Sequence, residues 1–100
     1  KGHVLVIPKK HIEDFFGLNE NISKESIKII QRVAKAVIKA TKADGFNLML
    51  NNKKAAGQLI DHVHFHIIPR FKKDGLKHWP QGNYKNNEAK EVLNKIKSFL

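Results

Sequence analysis

Apolar and polar residues change rhythm several times along these 100 residues, and each change predicts an element. His3 to Pro8, HVLVIP, is a short β-rich run closed by proline, which reads as a strand leaving into a loop. HIEDFFGL, from His11, predicts a helical turn that pins Phe15, Phe16 and Leu18 to the core. Ile27, Ile30, Val33, Val37 and Ile38 then fall on one face at helical spacing, so an amphipathic helix is expected. Ser23 is placed to cap it, Glu25 suits its positive end, and Lys39 and Lys42 suit its negative end. Asp44-Gly45 stops the helix, with Gly45 free to adopt the left-handed C′ conformation.

Phe46 to Asn51, FNLMLN, reads as a second strand. A loop, NKKAAGQ, joins it to a third, from about Leu59 to Ile68, which Pro69 ends because it lacks the ladder donor. KKDGLKHWPQGNY is irregular, with turn signals at Asp74-Gly75 and Gly82-Asn83. A last helix, from about Asn87 to Phe99, is expected to bury Val92, Leu93, Ile96 and Phe99. No repeat and no low-complexity linker interrupts the chain. The pattern predicts one α+β domain over residues 1–100 with antiparallel strands, in which 71–100 is a C-terminal extension carrying a helix.

Composition narrows the class. Apolar residues make up 41% and charged residues 28%, a globular rather than a disordered balance. No apolar run approaches the ~20 residues of a membrane span and no signal-peptide pattern is seen, so a cytoplasmic location is expected. The chain opens at Lys1-Gly2-His3, without methionine and almost inside a strand, and is expected to be N-terminally incomplete. Without cysteine, neither a disulfide framework nor a thiolate zinc site can be built from these residues. Nineteen Lys and Arg against nine Asp and Glu give a formal charge of +10, which favours anionic partners. No arginine-aromatic stripe or helix-turn-helix signature accompanies it, so nucleic acid is not an expected partner.

The chemistry concentrates in DHVHFHIIPR, Asp61 to Arg70. Strand alternation would set His62, His64 and His66 in a row on one face and bury Val63, Phe65 and Ile67 on the other. Three readings are open: phosphate chemistry, a metal, or a structural cluster. A straight strand separates the outer pair by ~13–14 Å, a poor fit to one ion. Neighbouring imidazoles repel when all are charged, so at least one is expected neutral, and a neutral imidazole is a nucleophile or a ligand. The preceding NNKKAAGQ offers Asn51, Asn52 and Gln58 as amides and Gly57 where backbone can approach a ligand closely.

Taken together, GHVLVIPKKHIEDF, NNKKAAGQ and HVHFHII resemble the histidine triad (HIT) family, whose signature is His-φ-His-φ-His-φ-φ with φ apolar. The resemblance runs from about Lys1 to Arg70. It implies a homodimer of α+β protomers, an antiparallel sheet carrying the site, and one long helix packed on it. It also implies hydrolysis or transfer at the α-phosphate of nucleoside phosphoramidates, acyl-nucleotides or dinucleoside polyphosphates, with an adenosine-type purine nucleotide as partner and no cofactor required. By position, His64 matches the nucleophile that forms a nucleotidyl-histidine, its δ nitrogen donating to a backbone carbonyl. His66 matches the residue that bonds phosphate oxygens, His62 the first triad histidine that supports the network, and His3 a fourth histidine beside the triad. Asn51, Gly57 and Gln58 match the phosphate-side loop.

Two departures matter. Leu59 stands where many relatives have Ser or Thr, which motivates the alternative of a nucleotide- or metal-binding module without turnover. Structural zinc in many microbial relatives uses an N-terminal Cys-x-x-Cys with two histidines matching His11 and His62; the cysteines would precede Lys1. HWP, from His78, resembles a Trp-Pro of one family branch, although Trp79 reads here as a packing residue.

Overall fold

The computed structural model describes all residues, 1–100. Its elements are β1 (Val4–Val6), a 3-10 turn (Phe15–Gly17), α1 (Glu20–Thr41), β2 (Gly45–Leu50), a second 3-10 turn (Lys54–Ala56), β3 (Phe65–Arg70) and α2 (Glu88–Lys97). The strands form one antiparallel sheet in the order β1-β3-β2, with α1 against one face. The expected α+β class is what the chain adopts.

Pleating decides which side chains meet α1. Phe65, Ile67 and Pro69 of β3 are buried, and Phe65 and Ile67 join Ile12, Ile30, Ala34, Val37 and Val63 in the core. On α1 the buried positions are Ser26, Ile30, Ala34 and Val37, a stripe at i, i+4, i+8 and i+11 with Ile22 and Val33 packed beside it. Small Ser and Ala let the helix approach the sheet closely. Ile67 has no exposed surface, and burying such a side chain is worth about 1.5–3 kcal/mol.

Several boundaries differ from the sequence expectation, each for a physical reason. Asn19, not Ser23, caps α1: its Oδ1 accepts from the Ile22 N–H at 2.9 Å, while Ser23 Oγ donates back to the Asn19 carbonyl. Lys42, at φ 57°, takes the left-handed position expected of Gly45, which instead opens β2. Ile27 lies half exposed, off the buried stripe. Pro69 does not end β3. β1 stops opposite Ile67, leaving β3 flanked on one side only beyond it, where a proline is tolerated.

The third strand begins at Phe65 rather than Leu59, because residues 59–64 spend their bonds elsewhere. His62 N–H turns back to the Ile60 carbonyl at 2.8 Å, and Val63 N–H reaches the Ile12 carbonyl at 2.7 Å. Phe15 and Phe16 are exposed, since the 3-10 turn directs Ile12 and Asp14 inward and leaves only Leu18 packed on the core. α2 forms close to where it was expected but buries none of Val92, Leu93, Ile96 or Phe99, because no other element lies against it.

Candidate functional site

The face of the sheet opposite α1 carries the imidazoles. His66 is central there, in register between Leu5 of β1 and Met49 of β2. Its Nδ1 lies 2.9 Å from Nε2 of His3, while its Nε2 is shielded and has no protein partner. Burial, then the nearby His64 and His3, lower the His66 pKa, so this ring favours its neutral form. The contact fits donation in either direction; in the tautomer where His3 donates to Nδ1, the single proton of neutral His66 sits on Nε2, a donor without a protein acceptor.

His64 stands just before β3. Its Nδ1 is 2.8 Å from the carbonyl of His62, and a carbonyl can only accept, so the proton is on Nδ1 and the Nε2 lone pair is free. The His64 and His66 rings meet edge-on, with centroids 4.9 Å apart. The arrangement sets a basic nitrogen beside a neutral N–H donor, and it can supply both an electron pair to a phosphorus and a hydrogen bond to its oxygen.

The row of three does not form. His62 belongs to the loop before β3 and uses both ring nitrogens: Nδ1 accepts from the Ile12 N–H at 3.2 Å and Nε2 donates to the Pro8 carbonyl at 2.8 Å. That bracing holds Pro8 to Ile12 against the histidine loop. The His11 ring stacks on His62, centroids 5.4 Å apart and nearly parallel. The donors expected for zinc are therefore neighbours, but His62 has no lone pair to spare and no set of three His, Cys, Asp or Glu side chains is gathered for an ion. Residues 1–100 hold two of the four expected zinc donors and gather no metal centre by themselves.

Asn51 follows β2 and Gly57 lies against it; a Cβ there would meet the Asn51 amide nitrogen at 3.6 Å, and Gly57 has φ +92°. The left-handed φ is what calls for glycine, since a Cβ at that distance is ordinary contact. Gln58, expected to face substrate, is turned inward instead and is 2% exposed. Its Oε1 accepts from Lys53 N–H at 2.8 Å and its Nε2 donates to the Glu13 carbonyl at 2.7 Å. It shapes the loop rather than lining its surface. Leu59, next in sequence, is 92% exposed.

Sequence reasoning took Asn52 as an amide for a ligand and did not see that it, with Asp14 and Lys53, welds this loop to the 3-10 turn. Asp14 accepts from the Phe16 N–H at 3.0 Å and pairs with Lys53 Nζ at 2.6 Å, and Asn52 Oδ1 accepts from the Phe15 N–H at 2.8 Å. The Lys53 ammonium holds the Asp14 carboxyl below its usual range, and Asp14 in turn raises Lys53. An aspartate before Phe-Phe-Gly is an N-cap signal that was available in EDFFG. Below the histidines, Arg70 is clamped by both carboxylate oxygens of Asp74 and donates to Asn47 Oδ1 and the Leu76 carbonyl. This pins the start of the C-terminal segment to β3. Trp79 is exposed rather than packed in the core, on the wall of a cleft of about 440 Å³ with Asn47, Met49, Ile68 and His78.

Comparison with known proteins places the chain in a family. The HIT domain family model matches residues 1–73. An uncharacterised HIT-like protein of Methanocaldococcus jannaschii is 43% identical over 99 residues, covering 97% of this chain and 74% of its own length. The adenosine 5′-monophosphoramidase of Schizosaccharomyces pombe is 36% identical over 102 residues, covering 100% of this chain and 74% of that protein. For relatives in Saccharolobus solfataricus and Bacillus subtilis, the chain spans 52% and 53% of their length. The crystal structure of a HIT family member from Bacillus subtilis superposes with a TM-score of 0.84 at 33% identity, over 99% of this chain and 73% of that one. On motif, matched residues and fold alike, the chain belongs to the histidine triad family.

Proposed function

We propose that this chain is a nucleotide hydrolase or transferase that works at the α-phosphate of an adenosine-type nucleotide through a covalent nucleotidyl-His64 intermediate. One observation carries the reading: the His64 Nδ1–H is committed to the His62 carbonyl at 2.8 Å, which fixes the tautomer and leaves Nε2 as a nucleophile. The Nε2 lone pair forms the N–P bond, and the P–N or P–O bond to the leaving group breaks with its electron pair, which then takes up a proton. Water next attacks phosphorus, the N–P bond returns its pair to Nε2, and the nucleoside monophosphate departs. His66 donates from Nε2 to a phosphate oxygen during both displacements, and one such donor is worth about 10²–10³ in rate. His3 orients His66 through Nδ1. Asn51, beside Gly57, offers an amide to the phosphates. The fission yeast relative supports a phosphoramidate as first choice over an acyl-nucleotide or dinucleoside polyphosphate.

Mixing the protein with adenosine 5′-phosphoramidate, quenching early and measuring intact mass tests the proposal. A nucleotidyl adduct mapped to His64, lost in His64→Ala together with turnover while nucleotide binding persists, is the expected result. Full activity of His64→Ala would refute it. The exposed Leu59, a side chain with no hydroxyl for a phosphate or leaving group, favours a second reading as a binding module without turnover. Nucleotide binding with neither adduct nor turnover would select it.

A further inference from the structure

Lys42, Lys53, Lys73 and Asn86 hold a positive φ although none is glycine. Lys42, at φ 57° and ψ 34°, closes α1 in the ordinary left-handed well. Lys53 is different. Its φ of 70° and ψ of 161° lie in the region that glycine alone enters freely, where a side chain persists only if its surroundings hold it.

Those surroundings grip Lys53 by its N–H, its carbonyl and its ammonium. The N–H donates to Gln58 Oε1 at 2.8 Å, and the carbonyl accepts from the Ala56 and Gln58 N–H groups, each at 3.1 Å. These bonds close residues 53–58 on themselves. The ammonium reaches outside the loop, to Asp14 Oδ2 at 2.6 Å, and the Asp14 side chain is only 9% exposed. Asp14 is fixed in turn: its Oδ1 accepts from the Phe16 N–H and its carbonyl from the Gly17 N–H. The ion pair therefore ties the strained residue to an anchor beyond its own loop.

The pivot at Lys53 decides where two groups for a phosphate lie. On its upstream side, the register pairs Met49 with His66 and Leu50 with Phe65, and one further step brings Asn51 to the level of His64. Downstream, the turn carries the chain back until Gly57 lies against the Asn51 amide. A Lys53 backbone relaxed to negative φ would send residues 54–58 elsewhere and part the two.

We infer that Lys53 is a positioning residue: its ion pair with Asp14 holds a backbone conformation suited to glycine, and that conformation sets Asn51 and Gly57 toward the substrate's phosphate. The ammonium is engaged by Asp14 and does not touch substrate. The role toward phosphate rests on the nucleotide reading above; the hold on the loop does not.

Two substitutions separate backbone from charge. Lys53→Met and Lys53→Gly both lack the ammonium, but only methionine keeps the Cβ that makes the conformation costly. With adenosine 5′-phosphoramidate, kcat/KM should fall about tenfold in Lys53→Met and stay within about threefold of wild type in Lys53→Gly. Asp14→Asn, which can still cap the Phe16 N–H, should fall like Lys53→Met and add little in the Lys53→Gly protein.

Amide hydrogen exchange reads the loop without substrate. The Gly57 and Gln58 N–H groups are bonded to the Lys54 and Lys53 carbonyls, and should exchange about tenfold faster in Lys53→Met but near the wild-type rate in Lys53→Gly. Equal losses in the two variants would overturn the proposal, because the ammonium would then act for itself. A Lys53→Met protein with wild-type exchange and turnover would overturn it as well. A wild type that neither binds nor turns over the phosphoramidate, with exchange in the expected order, would refute the nucleotide reading and leave the hold of Lys53 on its loop standing.

Discussion

Gln58 offers a direct test of how the phosphate-side loop is held. Its amide is 2% exposed and spans two backbone groups, the Lys53 N–H at 2.8 Å and the Glu13 carbonyl at 2.7 Å. Gln58→Leu preserves volume and removes both bonds. Leaving a buried donor or acceptor unpaired costs about 1–3 kcal/mol each, and both sites here are only partly shielded, so about 2–4 kcal/mol is lost in total. Leucine regains about 1 kcal/mol by burying apolar surface. The net is a destabilisation of about 1–3 kcal/mol, or roughly 5–20 °C in Tm for a domain of this size. Urea denaturation followed by circular dichroism reads the change as a lower midpoint at unchanged slope. Gln58→Glu sharpens the test, because a carboxylate oxygen would face the Glu13 carbonyl unless protonated; this variant should be more stable at pH 5 than at pH 8. Stability of Gln58→Leu within about 0.5 kcal/mol of wild type would show that neither bond matters and would refute the account of the loop.

The lowered pKa of His66 carries a sign. The unfolded ring protonates near 6.5 and the folded ring only at lower pH, so the contribution of neutral His66 to stability is full above about pH 6.5 and is lost as pH falls through the folded value. Denaturation midpoints of wild type should therefore drop between pH 7.5 and 5.5 by more than those of His66→Asn, and parallel profiles would contradict it. In the core, Ile67→Ala should cost about 2–5 kcal/mol in the same assay, whereas Ile96→Ala on the exposed helix should cost under about 1 kcal/mol under conditions where the chain is monomeric.

How much of this was legible follows from which interactions are local. The amphipathic stretch around Ile30, Val33 and Val37 announced α1 because helical period depends on spacing alone. Its cap was misplaced because Asn19 and Ser23 are both capping residues, and only tertiary packing of Ile22 chooses between them. The motif around His64 located the histidine cluster, but alternation misread its geometry: residues 59–64 look like a strand until Ile12 claims the Val63 N–H from across the chain. Gln58 also reaches Glu13 45 positions away and Asp14 pairs with Lys53 39 positions away, separations at which pattern carries no information. The ridge of α2 was read correctly as apolar and wrongly as buried, because periodicity shows that a face is apolar and not whether another element of the chain lies against it.

The division of labour among the histidines follows from the same loop, and it separates two substitutions that a row of equivalent imidazoles would make alike. The His64 tautomer is set by the backbone carbonyl of His62, not by the His62 ring. His62→Ala therefore keeps the acceptor for His64 Nδ1 while freeing the Ile12 N–H and the Pro8 carbonyl, at about 1–3 kcal/mol. The variant should be less stable and slower, with a weaker hold on the segment Pro8 to Ile12, yet still form the nucleotidyl adduct at His64 when assayed well below its Tm. His64→Ala should do the reverse, keeping the fold and losing the adduct altogether. If His62→Ala stays folded and the adduct vanishes, the His62 ring itself takes part in the chemistry, and the carbonyl is not what prepares His64.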